Sequence, residues 1–168
     1  MKTPICSFCA KTGILCPKCE TKFRSGHISK TDVEVSVRLT KFAEKFPEFD
    51  KMTLVRAFDM GDEYVLVLKG GDLVKLRRDP QLIKRIESEL QRKVWFIEGE
   101  ASDRKMLEDL FYPVRILTVN IVWLPDGSKL IKAIISGRKT EKFPIDIEQI
   151  KRIVKEVRGI DLLVEFER

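Results

Sequence analysis

The sequence predicts an α+β protein: a small cysteine-rich head, residues 1–30, followed by two copies of one mixed helix-and-strand unit, residues 31–98 and 99–168. Three observations predict it. All four cysteines fall in two Cys-x-x-Cys knuckles, Cys6-Ser-Phe-Cys9 and Cys16-Pro-Lys-Cys19, six residues apart. The string Ile83-Lys-Arg-Ile86 returns as Ile150-Lys-Arg-Ile153, an offset of 67 residues that also carries Gly70 onto Gly137, Leu90 onto Val157, Phe96 onto Leu163 and Glu98 onto Glu165 without a gap. Segments of helical and of strand period then alternate in the same order in both copies.

In the head, a two-residue spacer lets both thiolates of a knuckle approach one ion, and two knuckles complete the tetrahedron that a structural zinc prefers. One structural Zn2+ on Cys6, Cys9, Cys16 and Cys19, held in a zinc ribbon, is therefore the expected cofactor. Two disulfides are the alternative. The segment Met1 to Ala10 has no apolar run of signal-peptide length, which favours a reducing, cytoplasmic setting where disulfides rarely persist. Four cysteine ligands leave no position open for water, so the metal is expected to hold a fold and to do no chemistry. So short a segment buries little core, and metal binding is expected to supply most of its folding free energy. His27, the only histidine, reads as an exposed member of a basic arm.

The first copy opens with Thr31-x-x-Glu34, a capping box ahead of Val35, Leu39, Phe42 and Phe46 on one helical face, until Pro47 stops the helix. Met52 to Asp59 and Glu63 to Lys69 read as a hairpin about Met60-Gly61-Asp62. Gly71 to Leu76 is a short helical turn, and Asp79 as cap with Pro80 behind it opens a second helix. That helix turns Ile83, Ile86 and Leu90 inward and Lys84, Ser88 and Arg92 outward, before a strand from Lys93 to Glu98. The second copy repeats the pattern: a helix from Ser102 to Phe111, strands Arg115 to Leu124 and Lys129 to Ser136 about Pro125-Asp126-Gly127, a helix from Asp146 to Arg158 ended by Gly159, and a strand from Ile160 to Phe166. The order in each copy is helix, strand, strand, helix, helix, strand.

Composition narrows the function. With 43% hydrophobic and 35% charged residues the chain has the makings of a folded core under a heavily ionised surface. Lys and Glu dominate the polar set while Gln occurs three times and Asn once, a bias associated with proteins that work hot. No stretch approaches the roughly 18 apolar residues of a membrane helix. The net charge is +6, and five of those charges lie before Thr31, where Lys2, Lys11, Lys18, Lys22, Arg24 and Lys30 face Glu20 alone. A local positive field of this kind attracts polyanions, nucleic acid first among them. One histidine, no glycine-rich phosphate loop and no paired-carboxylate motif argue against an enzyme.

The element order, with a short helix, a tight link and a longer helix bearing Ile-Lys-Arg-hydrophobic before the last strand, resembles the type II KH domain. Two in tandem resemble the archaeal NusA-like transcription elongation proteins, whose second KH hairpin is similar to Ile116 to Ser128. The resemblance covers residues 31–168 and implies binding of structured or ribosomal RNA within a transcription or translation assembly, with RNA polymerase or a ribosomal subunit as the machine. The family's Gly-x-x-Gly loop brings backbone N–H groups against four nucleotides. Here it falls on Arg77-Arg78-Asp79-Pro80 and on Pro144-Ile145-Asp146-Ile147, neither with a glycine. Arg77 and Arg78 are expected to replace backbone approach by charge, with Lys84 beside them. In the second copy Arg138, Lys139 and Lys142 form the basic loop. A protein-interaction adaptor with two KH-like units that no longer bind RNA is the rival expectation, and a ribosome-associated small protein lies between.

Overall fold

Each knuckle folds as the start of a short helix. Cys6 and Cys16 are extended (ψ 161° and 165°) and cap α1 (Ser7–Thr12) and α2 (Pro17–Arg24). Pro17 at the first helical position brings a preset φ, and Gly13 ends α1 in the left-handed region at φ 77°. The head is thus a helix pair, which corrects the expected ribbon: the cysteines act as helix caps and the segment contributes to β structure only through a bridge from Lys2 to Thr53. The computed structural model describes residues 1–137 and 145–167 and divides into two compact α+β units, Met1–Glu100 and Ala101–Arg168.

In the first unit the head is followed by α3 (Lys30–Ala43) and α4 (Pro47–Asp50), then β1 (Leu54–Asp59), β2 (Glu63–Leu68), α5 (Asp72–Arg77), α6 (Pro80–Leu90) and β3 (Lys93–Glu98). The sheet runs β1-β2-β3, with β1 and β2 an antiparallel hairpin and β3 parallel to β2. One face meets the helices: Leu54, Ala57, Tyr64, Leu66, Leu68, Val94 and Phe96 form a cluster with Val35, Leu39, Phe42, Leu82, Ile86 and Leu90. The alternate positions Val65, Val67, Trp95 and Ile97 are buried too, which accounts for the unbroken apolar runs of β2 and β3. In α6 the fully enclosed stripe is Leu82, Ile86 and Leu90, and Ile83 lies half-buried at its edge.

The helix α3 begins two residues before the expected box. Ser29 is its N-cap and Asp32 closes the capping box, while Glu34 faces solvent beside Lys30. The sequence holds two overlapping boxes, and long-range donors select the first. Asp32 has no exposure, and it accepts from Ser29 N (2.7 Å), Ser29 Oγ (3.1 Å), Arg56 Nε (2.9 Å) and Ala57 N (2.7 Å). One carboxylate therefore caps α3 and ties it to β1.

The second unit comprises α7 (Asp103–Phe111), β4 (Ile116–Trp123), β5 (Lys129–Ser136), α8 (Ile147–Arg158) and β6 (Asp161–Glu167). Its sheet, β4-β5-β6, repeats the antiparallel hairpin and parallel third strand, with a register shift between Ile116 and Thr118 where β1 has one between Leu54 and Arg56. The short helix expected ahead of α8 falls outside the described residues. Asp103 plays the anchoring part here: it accepts from Lys129 Nζ (2.6 Å) and Arg158 (2.7 Å), joining α7 to β5 and to the end of α8. Burial would raise its pKa, but the two hydrogen bonds together with the charges of Lys129 and Arg158 outweigh it and hold the carboxyl below its usual range.

The gapless 67-residue offset holds only as far as α8. The N-caps Asp79 and Asp146 keep it, but Phe96 pairs with Leu66 while Val164 pairs with Ala133, so Phe96 corresponds to Val164 and not to Leu163. The extra residue lies in α8, which has 12 residues to the 11 of α6. Because strand side chains alternate, the slip turns Leu163 to the opposite face, where it is 50% exposed.

Both helices end in a left-handed residue, Gln91 at φ 56° and Gly159 at φ 66°. A side chain is disfavoured there, so Gln91→Gly is expected to raise the unfolding free energy by about 0.5–1 kcal/mol in denaturant titration. Asp32→Asn removes a charge from four donors and is expected to cost about 2–4 kcal/mol, toward the lower end because Arg56 can recover water.

Candidate metal centre

The helix caps bring four sulfurs together. All four Sγ atoms lie within 4.8 Å of one another, with Cys6 to Cys9 at 3.3 Å and Cys6 to Cys16 at 4.0 Å. Sulfurs at 3.3 Å are not disulfide-bonded, since that bond is about 2.05 Å long. A tetrahedron with metal–sulfur bonds of about 2.3 Å has edges of about 3.8 Å, and this cluster is of that size. The donor set fits a metal ion.

Two amides cross between the knuckles. Cys16 N donates to Cys9 Sγ at 3.0 Å, and Cys6 N donates to Cys19 Sγ at 3.4 Å, so the N-cap amide of each helix serves the sulfur at the third position of the other. Such donors disperse thiolate charge and fix sulfur orientation. The Cys19 amide and a hydrogen bond with Cys9 bring the Cys16 thiol down to about 6, and the Cys9 amide lowers Cys6. Burial pushes Cys9 up to about 12.

The cluster rests on a small apolar floor. Ile5, Cys9, Ala10, Cys19 and Ile28 are buried together, with Leu15, Cys16, Val33 and Val37 packed against them. Val33 and Val37 belong to α3, so burial against that helix adds to whatever the metal contributes. A groove of about 400 Å³ runs beside this contact, between Gly13 and Val33, Val37, Arg38 and Tyr64. His27 is exposed, hydrogen-bonded to the Ser25 hydroxyl and outside the four-sulfur group.

On the helices that carry the four cysteines, Lys11 of α1 and Lys18, Lys22 and Arg24 of α2 are all exposed, Arg24 paired with Glu20 at 2.8 Å. Arg77 ends α5 half-buried, Arg78 follows it exposed as the C-cap, and Lys84 is exposed on α6. Arg138, Lys139 and Lys142 lie outside the described residues, as does Pro144 of the second link. Charge counting missed the large apolar side chains left in solvent. In the head these are Phe8, Ile14 and Phe23; in the second unit they include Ile121, Trp123 and Leu163, with Lys129 Nζ 4.6 Å from the Trp123 ring centroid. A signal for Phe8 was present, since it sits inside a knuckle whose flanking cysteines leave it little choice but to point away from the sulfurs.

Thiols must lose their protons to bind metal, so affinity is expected to fall with pH. At neutral pH the Cys16 thiolate is already formed and the proton on Cys9 must be displaced. Below about 6 Cys16 also carries a proton, and one more is released per metal bound. Competition titrations with zinc should show the slope of log K against pH steepening by about one below that point; a slope unchanged between about pH 5 and 8 contradicts it.

No protein-family model matches the chain, and no curated protein matches its sequence. Among solved structures it is similar to the crystal structure of APE1850, with a TM-score of 0.54 at 16% identity, over 77% of this chain and 95% of that one. At that identity the likeness is one of fold: the chain shares an α+β architecture with APE1850 and carries a four-cysteine group able to hold a metal.

Proposed function

We infer that the protein binds RNA through a zinc-organised basic head and two KH-like units, within a transcription or translation assembly. One observation carries this reading: five of six net charges sit on the 30-residue segment that the four cysteines gather around one point. All-sulfur ligation suits zinc, and the closed ligand set gives the ion a structural part. Two units built as a hairpin, a helix and a parallel third strand are in keeping with tandem KH-like domains, and the fold likeness to APE1850 is compatible with that architecture. Arg77 and Arg78 stand at the α5–α6 link, where the KH family meets phosphate, and Lys84 lies one turn beyond. Contacts through Lys and Arg side chains position a phosphate backbone and carry little base information. The activity proposed is binding, in the cytoplasm, with RNA polymerase or a ribosomal subunit as the neighbouring machine.

A second reading, a protein-interaction adaptor, is favoured by Ile121, Val122, Trp123 and Leu163, large apolar side chains exposed on β4 and β6.

Binding to a structured RNA should weaken steeply with salt. The slope of log K against log salt reflects the number of phosphates neutralised, at about 0.7–0.9 for each. Lys18→Ala/Lys22→Ala and Arg77→Ala/Arg78→Ala are each expected to make that slope shallower by the equivalent of one or two phosphates, and a zinc-free chain to bind more weakly. An affinity indifferent to salt and to both pairs of substitutions refutes RNA binding, and copurification with another protein in place of RNA then supports the adaptor.

A further inference from the structure

The head leaves both of its aromatic side chains in solvent while it encloses Cys9, Ala10 and Cys19. Its enclosed residues are Ile5, Cys9, Ala10, Cys19 and Ile28, whereas both of its phenylalanines stand in solvent, Phe8 61% and Phe23 40% exposed, as does Ile14 at 71%. Hydrophobic burial alone would order these the other way. The two knuckles are also pseudo-equivalent. Cys6 and Cys16 cap their helices, Cys9 and Cys19 take the third position, and the residues at the second position are Phe8 in α1 and Lys18 in α2. Since the four sulfurs lie within 4.8 Å of one another, the caps of both helices meet at one point, and an exposed aromatic ring and an exposed ammonium flank it.

We propose that Phe8 is a base-stacking residue for unpaired RNA, with Lys18 and Lys22 holding the adjoining phosphates. The inference rests on the RNA-binding reading above and names the form of RNA the head takes. Charge separates this occupant from a protein partner. Protein interfaces concentrate aromatic residues but are poor in lysine, whereas single-strand sites pair aromatic platforms with a cationic groove. Here Lys11, Lys18, Lys22 and Arg24 are exposed on the same two short helices that carry Phe8 and Phe23, with Glu20 the one acid in residues 1–30. A duplex keeps its bases stacked on one another and offers Phe8 nothing to stack on, so the ring discriminates between single and double strands. Thr12 steadies the local backbone, its hydroxyl donating to the Phe8 carbonyl at 2.9 Å and accepting from Ile14 N at 3.3 Å.

The test uses the zinc-loaded full chain and fluorescence anisotropy with one short labelled RNA, single-stranded and as its duplex. Phe8→Ala should weaken the single strand roughly 5- to 150-fold, the loss expected for one aromatic–base stack, and leave the duplex within about twofold. Phe8→Tyr should retain binding and Phe8→Leu should not, because stacking needs a ring. Zinc content equal to that of the parent shows that the head is still folded. Lys18→Ala/Lys22→Ala should weaken both RNAs. Single-strand affinity unchanged in Phe8→Ala, or retained in Phe8→Leu, overturns stacking. If the lysine pair still matters in that case, RNA binding stands without it. If neither variant alters affinity for either RNA, the head takes no part in binding and the stacking proposal fails, while RNA binding itself is then decided by the salt slope and by Arg77→Ala/Arg78→Ala.

Discussion

A carboxylate sealed from water must find donors inside the fold, and Asp32 finds four. Their origin makes this contact the joint of the first unit. Ser29 ends the cysteine head, Arg56 and Ala57 belong to β1, and Asp32 itself starts α3. The helix so placed turns Val33 and Val37 toward the head and Val35, Leu39 and Phe42 toward the sheet. Without the joint, α3 would keep its amphipathic pattern but lose its register against β1, and the floor under the sulfur cluster would move with it. The second unit solves the same problem with different donors. Asp103 lies in the first turn of α7 and draws Lys129 of β5 and Arg158 of α8, so an acid at the start of the first helix again pins a helix to its sheet.

The cysteine cluster obeys a related rule. A helix N-terminus offers amides without partners, and a thiolate is an acceptor that needs them. Capping each helix with a cysteine and crossing the cap amides to the other knuckle satisfies both demands within two short helices. The arrangement leaves the second helical position of each knuckle outside the sulfur group, which is why Phe8 and Lys18 face solvent while Cys9 and Cys19 are buried. The gathering of the four sulfurs thus decides which side chains the head presents.

Much of this was legible in the sequence, and the failures share a cause. The hairpin turns, the Asp79–Pro80 and Asp146 starts, the Gly159 stop and the gathering of the four cysteines each rest on local chemistry that a short window contains. The start of α3 did not, because Ser29-x-x-Asp32 and Thr31-x-x-Glu34 are equal as local signals and the choice lies with Arg56, 24 residues away. The helical head was missed because spacing reports which sulfurs share an ion and says nothing of backbone direction between them. The exposure of Phe8 was passed over because charge was counted in the head and its apolar side chains were not, although the flanking cysteines already signalled it.

In the repeat, identity of motif and identity of register prove separable. Ile-Lys-Arg-Ile marks the same helix in both copies, yet one additional residue in α8 advances β6 by one position. A helix absorbs the insertion as a rotation of about 100° over its last turn, while a strand converts it into an exchange of faces. Leu163 is thereby turned outward and Val164 takes the place that Phe96 holds in the first copy. A smaller side chain on the inner face and a larger one outside reverse the usual order of a sheet, as Phe8 does in the head. In both places the chain keeps a large apolar group in water, and in both the neighbouring residues that direct it outward are fixed by contacts of their own, the sulfurs in one case and the parallel pairing with β5 in the other.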